Sequence, residues 1–407
     1  MLSPFLRVLC DLLFNPSSPS PPASNSETTS PNPESPVTAA AAVFDVPQLA
    51  ATQAVADAAR LGLTSTPKSL PPWLFYDAPG SRLFEQITTL PEYYLTRTER
   101  TLFTIHADEI FSELQTVTSS PAPVILSEGA QAPKSKDLRL SSEHHLTIAE
   151  LGAGTASKTG ILLRALTRRQ PHVLYQPIDI SPTALDEASE SIESNIPGIT
   201  VRPQVANYIT DTVRIERPPH ARVLALYIGS SIGNFSPAEA RQILTRLRSE
   251  LAPGDALLLG ADLAPTPADD PAANGHGKSV ATLLAAYNDA AGVTAAFNRN
   301  ILARLNRDLG ADFRPRQFDH SALWNPVHSR IEIYLRSRAP QQVTIPANSA
   351  GGRLSLHFAE GETIHTENSY KFTPAAISAL LADSAFTPTR TFTDANNLFA
   401  VTLATAI

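Results

Sequence analysis

The stretch LTIAELGAGTASKTGILLRAL, Leu146–Leu166, decides the fold. It reads as an apolar strand ending in an acid, then a glycine-rich turn, then an amphipathic helix. The same order returns downstream. VLYQPIDI (173–180) is a second strand ending at Asp179, and Ser181 opens a helix through about Ile192. ITVRPQVANY (199–208) is a third strand, and RVLALYIGSSIGNF (222–235) is a fourth that again runs into a glycine-containing loop. SPAEARQILTRLRSEL (236–251) is a helix capped by Ser236, with Glu239 at the capping-box position. After the turn Pro253-Gly254-Asp255, ALLLGADL (256–263) is a fifth strand. Strands alternating with helices imply βαβ units and an α/β fold built on a parallel, doubly wound sheet.

The alternation stops near Ala264. Residues 265–277 read as a polar loop, and SVATLLAAYNDAAGVTAAFNRNILARLNRDLG (279–310) as a helix interrupted at Gly292. SRIEIYLRSR, QQVTIP, RLSLHF and ETIHTENSYKF then alternate apolar and polar residues, as in a half-exposed antiparallel sheet. TPAAISALLADSA is a last helix. FTPTRTFTD and LFAVTLATA form a terminal antiparallel pair that can return to the edge of the main sheet. The elements between the fifth strand and the last helix are thus an insertion.

Upstream, order begins near Phe44. PQLAATQAVADAARLGL (47–63) has helical spacing, with Leu49, Val55 and Leu61 as core positions. Pro67, Pro71 and Pro72 force extended chain before a stretch rich in Trp73, Phe75, Tyr76, Phe84, Tyr93, Tyr94 and Phe103. Ser81 is placed to cap a short helix, and Thr96 or Thr98 to open a longer one running to about Leu114. Trp73 and Phe103 read as core. Tyr76, Tyr93 and Tyr94 flank turns and carry hydroxyls that need partners, which suits the wall of a pocket. Residues 117–145 have little periodicity and read as a surface insertion.

The 407 residues carry 32 Lys plus Arg against 39 Asp plus Glu, a net charge of −7. Binding of nucleic acid through phosphate contacts calls for a basic excess, which is missing. One cysteine, Cys10, excludes a disulfide framework and a cysteine-built zinc site. Seven Pro and seven Ser between Pro16 and Pro36 mark a disordered segment, so residues 1–43 read as a tail. Met1–Phe14 is apolar but broken by Arg7 and Asp11, and it lacks the basic n-region and cleavage site of a secretory signal. No run reads as a membrane span, and a cytoplasmic monomer is expected.

Ligands of open parallel sheets bind beyond the carboxyl ends of the strands, where strand order reverses. Glu150-Leu151-Gly152-Ala153-Gly154 lets backbone approach a ligand there, and Asp179 offers a carboxylate to both hydroxyls of a ribose. NAD and S-adenosylmethionine share this pairing. A dinucleotide fingerprint places Gly where this chain has Ser157, whereas S-adenosylmethionine has no phosphate to seat. A structural turn without ligand is the plainer alternative. Asn207 and Tyr208 offer an amide to the adenine amino group and a ring to cover the base, although Tyr208 reads equally as an ordinary core aromatic. Gly229-Ser230-Ser231-Ile232-Gly233-Asn234 would lie beside the transferred group, with Asn234 either facing a substrate or serving as a turn residue.

The chain resembles the histidine Nα-methyltransferases of ergothioneine biosynthesis over about residues 65–407. The matching stretches are PKSLPPWLFYDAPGSRLFEQITTLPEYYLTRTER (67–100), ELGAGTASKT (150–159), GSSIGN (229–234), AYNDAAGVTAAFNRN (286–300) and TENSYKF (366–372). Insertions interrupt the match near 117–145 and 265–279. The resemblance implies a Rossmann-like methyltransferase domain at 98–277 and 371–407. It also implies a smaller α+β substrate domain from an N-terminal part, 44–97, and an inserted part, 278–370. It implies S-adenosylmethionine as methyl donor, free L-histidine as substrate, hercynine as product, and no metal. Carried over by motif, the cofactor residues are Tyr93, Gly152, Lys158, Asp179, Asn207 and Tyr208. The substrate residues are Tyr76, Asn234, Tyr287, Glu367 and Ser369, with Phe84, Gly229, Ser231 and Ile333 lining the site. Asn207 stands where the family usually has Asp, Ile333 where it has Met, and Asn368 where it has an apolar residue. If TENSYKF is a strand, Glu367 and Ser369 share a face and Asn368 points away. No residue is assigned as general base. A methyltransferase for a tryptophan-derived amine, a silent S-adenosylmethionine-binding regulator and an NAD dehydrogenase are the competing readings; Glu367 disfavours the first and Ser157 the last.

Overall fold

The computed structural model describes residues 46–116, 145–209, 211–266, 277–347 and 351–407. The tail read at 1–43 and most of the two insertions lie outside them. Contacts divide the chain into Met1–Ala54 and Val55–Ile407. The described part of the first unit is the opening of helix α1 (Val46–Thr64). Within the second unit, α1 buries Val55, Ala59 and Leu63, an i, i+4 stripe. Leu61, expected in the core, lies off that stripe and is 42% exposed; Leu49 lies outside the described side chains.

Strand β1 (Lys68–Ser69) precedes helix α2 (Ala78–Thr89). The cap of α2 is Asp77, not Ser81: its carboxylate accepts from the Gly80 amide at 2.7 Å. Asn300 and Arg307 hold the same carboxylate, which fixes the helix start. Helix α3 (Tyr94–Thr116) starts ahead of both Thr96 and Thr98. Arg97 bonds the carbonyls of Leu90, Pro91 and Tyr93, tying the preceding turn to the first helical turn. Phe103 is fully buried, while Trp73 is half-buried against the core.

The main sheet follows: β2 (Leu146–Leu151), α4 (Thr159–Thr167), β3 (Val173–Asp179), α5 (Pro182–Asn195), β4 (Ile199–Val201), β5 (Gln204–Val205), β6 (Arg222–Tyr227), α6 (Pro237–Ser249) and β7 (Ala256–Asp262). β4 and β5 replace the single third strand expected at 199–208. Pro203 lies between them and has no N–H for the ladder, so each piece pairs separately with β3. Ser181 caps α5, and Ser236 with Glu239 forms both bonds of the capping box.

Helices α7 (Val280–Ala286) and α8 (Val293–Leu309) are separated at Gly292, whose φ of 76° lies in the region that favours glycine. Strands β8 (Phe318–Asn325), β9 (Arg330–Ser337), β10 (Gln341–Ile345), β11 (Leu354–Phe358) and β12 (Thr363–Tyr370) follow. The mixed composition of β8, FDHSALWN, gave no strand signal. Helix α9 (Pro374–Ala382) then leads to β13 (Phe386–Thr393) and β14 (Phe399–Ala406).

The large sheet runs β13-β14-β7-β6-β2-β3-β4, with β14 antiparallel to β7 and β13 at the edge. β2 and β7 are buried along their whole length, as parallel strands covered on both faces must be. Alternate residues of β6 feed two cores: Leu224 and Leu226 one, Val223, Ala225 and Tyr227 the other. A second sheet runs β1-β12-β9-β8. β1 from the N-terminal part pairs with Ile364 and His365 of the insertion, so distant segments build this sheet together. The Ser231–Asn234 turn bears on β12: a Cβ added at Gly233 would sit 2.7 Å from the Tyr370 carbonyl oxygen. The outward strand order and the insertion agree with the doubly wound architecture read from the sequence.

Gly233→Ala is therefore expected to cost about 1–3 kcal/mol and to lower the thermal unfolding midpoint. An unchanged midpoint in differential scanning calorimetry contradicts this seating of the loop on β12.

Candidate active site

Strand order reverses between β2 and β6, and the two functional turns lie at their carboxyl ends. Gly152 adopts φ 68° and donates its amide to the Ile178 carbonyl at 2.8 Å, which turns the chain sharply off β2. Asp179, ending β3, accepts from the Gly154 amide and from the Ser181 amide, each at 2.9 Å. Its carboxylate thus joins the glycine turn to the start of α5. The Tyr208 ring lies 3.6 Å from where a Gly152 Cβ would stand, and a Cβ at Gly154 would meet nothing within 4 Å. Open space above the turn, a fixed carboxylate at its rim and an aromatic ring beside it fit a ribose diol and a flat base. Asn207 accepts from the Ile209 amide at 3.1 Å through its side-chain oxygen, whose second lone pair is left to accept from an amino group.

Lys158 is paired with Glu99, which is fully buried and accepts from the Gly229 amide at 2.8 Å. Glu99 thereby couples the end of β6 to the turn after β2. A Cβ on Gly260 would collide with its carboxylate, so glycine there makes its space. Sequence reading missed Glu99, because a mid-helix Glu in TRTER is indistinguishable from a solvated one.

An aromatic wall lines the other side. Tyr76 meets Phe84 and Phe297, each at 5.8 Å between ring centroids; Phe84 meets Tyr93 at 6.4 Å, and Tyr93 meets Tyr287 at 6.3 Å. Burial holds the phenols of Tyr76, Tyr93 and Tyr287 well above their ordinary values. Phe297 was the member of this wall not singled out in the sequence.

β12 carries a bulge between His365 and Glu367. The extra residue, Thr366, is buried and bonds Asn298 and the Ile333 carbonyl. The bulge resets the alternation, so His365 and Asn368, three apart, share the outer side and bond at 2.9 Å. Glu367 stands opposite Ile333 and Ser369 opposite Ile331. Burial raises the Glu367 carboxyl to about 7, against the opposing charge of Lys371. Asn298, His320 and the Tyr287 carbonyl form a chain of bonds at 2.9 and 2.8 Å that ties α8 and β8 to the residue after α7.

Tyr287 and Ser369 hydroxyls are 3.0 Å apart. Behind them lies a cluster that sequence reading did not assemble: Asp262 at the end of β7, paired with Lys278 and Lys371 and accepting from the Tyr94 hydroxyl at 2.9 Å. Burial pushes the Asp262 carboxyl up, but the two ammonium groups outweigh it and hold it below its ordinary value. Burial lowers Lys278 to about 8. Tyr94, expected to line the pocket, spends its hydroxyl on this cluster. Ser231 bonds the Ile228 carbonyl at 3.3 Å, and Asn234 is half-buried at the end of the same turn. Glu150, by contrast, faces the interior, accepting from Tyr175 at 2.5 Å and from Thr159 at 2.7 Å. Among the described residues no group of three His, Cys, Asp or Glu side chains can hold a metal, and no helix is long and apolar enough to cross a membrane.

A family profile described as "Histidine-specific methyltransferase, SAM-dependent" matches residues 55–406. The chain is 39% identical over 346 residues to a histidine N-alpha-methyltransferase of Mycolicibacterium smegmatis, covering 85% of this chain and 92% of that protein. It is 36% identical over 343 residues to a histidine N-alpha-methyltransferase of Mycobacterium tuberculosis, covering 84% and 92%. It is 26% identical over 310 residues to ergothioneine biosynthesis protein 1 of Schizosaccharomyces pombe, covering 74% of this chain and 34% of that one.

Two expectations follow from this geometry. Asp179→Ala removes the fixed carboxylate and frees the Gly154 amide. Affinity for S-adenosylhomocysteine in isothermal titration should fall roughly 30-fold or more; a folded variant with unchanged affinity contradicts the assignment. Burial raises the Glu150 carboxyl to about 7 from an ordinary 4.5, outweighing its hydrogen bonds. Its folded value lies above its unfolded one, so the stability it lends is full below about 4.5 and is lost as pH rises through about 7. The midpoint of Glu150→Gln should therefore gain on that of the wild type between about pH 5 and pH 8; parallel curves in thermal scans contradict it.

Proposed function

The chain belongs to the SAM-dependent histidine-specific methyltransferases, and we propose that it methylates the α-amine of free L-histidine three times, giving hercynine for ergothioneine biosynthesis. Glu367 carries this reading. Its carboxyl lies beside Ser369 on one face of β12 and opposite Ile333, which gives an imidazole a polar edge and an apolar face. An indole gains less from a buried carboxylate, which argues against a tryptophan-derived substrate.

The division of labour follows the chain. Residues 98–277 and 371–407 chiefly serve the methyl donor and 44–97 and 278–370 chiefly serve histidine, with Tyr93 crossing to the donor and the Gly229–Asn234 turn crossing to histidine. Asp179 would hold the ribose, Asn207 and Tyr208 the adenine, and Gly152, Lys158 and Tyr93 the remainder of the donor. Tyr287 and Asn234 would hold the histidine carboxylate, while Glu367 and Ser369 take the ring. Tyr76, Phe84, Gly229, Ser231 and Ile333 bound the space.

S-adenosylmethionine supplies a methyl on a sulfonium carbon. The residues' task is to hold the amine lone pair on the axis of the bond that breaks. Fixing the carboxylate at one end and the ring at the other leaves the amine free to turn between methylations. The phenols of Tyr76, Tyr93 and Tyr287 stay neutral, so they orient and exclude water rather than take the proton, which leaves through solvent. The faces of Tyr76 and Phe84 suit the growing quaternary ammonium.

Mass spectrometry of L-histidine incubated with enzyme and S-adenosylmethionine should show one, two and then three added methyl groups. No methylated histidine, with histidine bound or not, overturns the reading, and absence of binding in isothermal titration points to a silent regulator. Glu367→Ala should weaken histidine about 30-fold or more and leave donor affinity nearly unchanged. It should also shift the ratio of kcat/KM for histidine over tryptophan toward tryptophan. An unchanged ratio removes Glu367 as the reader of the ring.

A further inference from the structure

Lys371 belongs to the TENSYKF stretch, yet none of the roles above uses it. Its ammonium lies 2.8 Å from Asp262 Oδ2, 2.9 Å from Ser369 Oγ and 2.6 Å from the Tyr287 hydroxyl. An ammonium has three protons and no lone pair, so these oxygens take all it can give. Lys371 is fully buried and has nothing left to offer a ligand directly.

The consequence falls on the hydroxyl pair. Tyr287 and Ser369 each accept from Lys371 and stand 3.0 Å from each other. One hydroxyl proton lies between the two oxygens, and the other points elsewhere. If Tyr287 donates to Ser369, then Ser369 offers a proton outward. If Ser369 donates to Tyr287, then Tyr287 offers the proton and Ser369 offers a lone pair. The buried charges favour the second when an anion is present. Asp262 is the one acid in ion-pair contact with Lys278 and Lys371, and Asp394 and Glu367 act on them from farther off, so the close pairs themselves carry one positive charge in excess. An anion beside Tyr287 is drawn by that excess, and a carboxylate only accepts.

We propose that Lys371, held by Asp262, orders the Tyr287–Ser369 hydroxyl pair so that a carboxylate bound at Tyr287 makes Ser369 an acceptor for an imidazole N–H. The two ends of the amino acid are then recognised as one coupled event. The inference rests on the histidine reading of the site. The ring in this arrangement presents one nitrogen as donor to Ser369, and its other nitrogen shares a proton with Glu367. Lys371 touches neither substrate nor donor; it is a positioning residue.

The test is isothermal titration of L-histidine and of histamine, which lacks the carboxylate, in the presence of S-adenosylhomocysteine. The proteins are wild type, Lys371→Met, Ser369→Ala and the double variant. Lys371→Met leaves Asp262 still paired with Lys278 and the Tyr94 hydroxyl, so its charge is not stranded. It should weaken histidine about tenfold or more, through KM, with kcat and S-adenosylhomocysteine affinity within about threefold. In the wild-type background the Ser369→Ala penalty should be at least about fivefold larger for histidine than for histamine, and in Lys371→Met it should be equal for both. A folded Lys371→Met that binds histidine as tightly as wild type overturns the proposal. So does a Ser369→Ala penalty equal for the two ligands with Lys371 in place, a comparison that decides the matter even if Lys371→Met fails to fold. A wild-type protein that binds no histidine overturns the substrate reading, and this proposal with it.

Discussion

The carboxylate of Asp262 is the point on which the architecture turns. It sits at the end of β7, fully buried, where an isolated charge would be prohibitively costly. Its partners arrive from separate parts of the chain: Tyr94 from the start of α3, Lys278 from ahead of α7, and Lys371 from just past β12. Its own amide is held by Ser230 Oγ at 2.9 Å. Removing one partner of such a buried set typically costs about 3–5 kcal/mol. The main sheet and the inserted elements therefore reach their lowest energy only in a single mutual register. Glu99 does the same between the turns that follow β2 and β6, linking Lys158 to the Gly229 amide.

These two acids define a division between groups that meet ligands and groups that hold them. In the proposed roles the ligand-facing side chains are neutral apart from Lys158, Asp179 and Glu367. Glu99, Asp262, Lys278 and Lys371 are spent on ion pairs, on backbone and on the hydroxyls of Tyr94, Tyr287 and Ser369. A site that must pass a positive charge from sulfur to nitrogen is well served by fixed charges kept behind neutral side chains, where they orient without trapping the substrate.

What could be read from the sequence was local. The glycine turn at 150–154, the capping box at Ser236 and the break at Gly292 each announce themselves within a few residues, and they hold in the structure. Asp179 was legible because its place at a strand end follows from the alternation of elements. Glu99 and Asp262 were not, because their meaning lies in partners as far as 130 and 168 residues away, and nothing near them departs from an ordinary helix or strand. The cap at Asp77 was missed for the same reason: Asn300 and Arg307 secure it from α8. The family resemblance singled out individual side chains, but not the scaffolding behind them.

The bulge at Thr366 has a consequence for how such an enzyme can diverge. Because Thr366 absorbs the extra residue and is anchored to Asn298 and the Ile333 carbonyl, the frame of β12 cannot slide. A slip by one position would exchange the face that carries Glu367 and Ser369 for the one that carries Asn368 and Tyr370. With the frame locked, the side chains at 367 and 333 face each other as exchangeable parts on a fixed mount. A change of side chain at either position then alters what this face presents, with no insertion, deletion or refitting of the backbone.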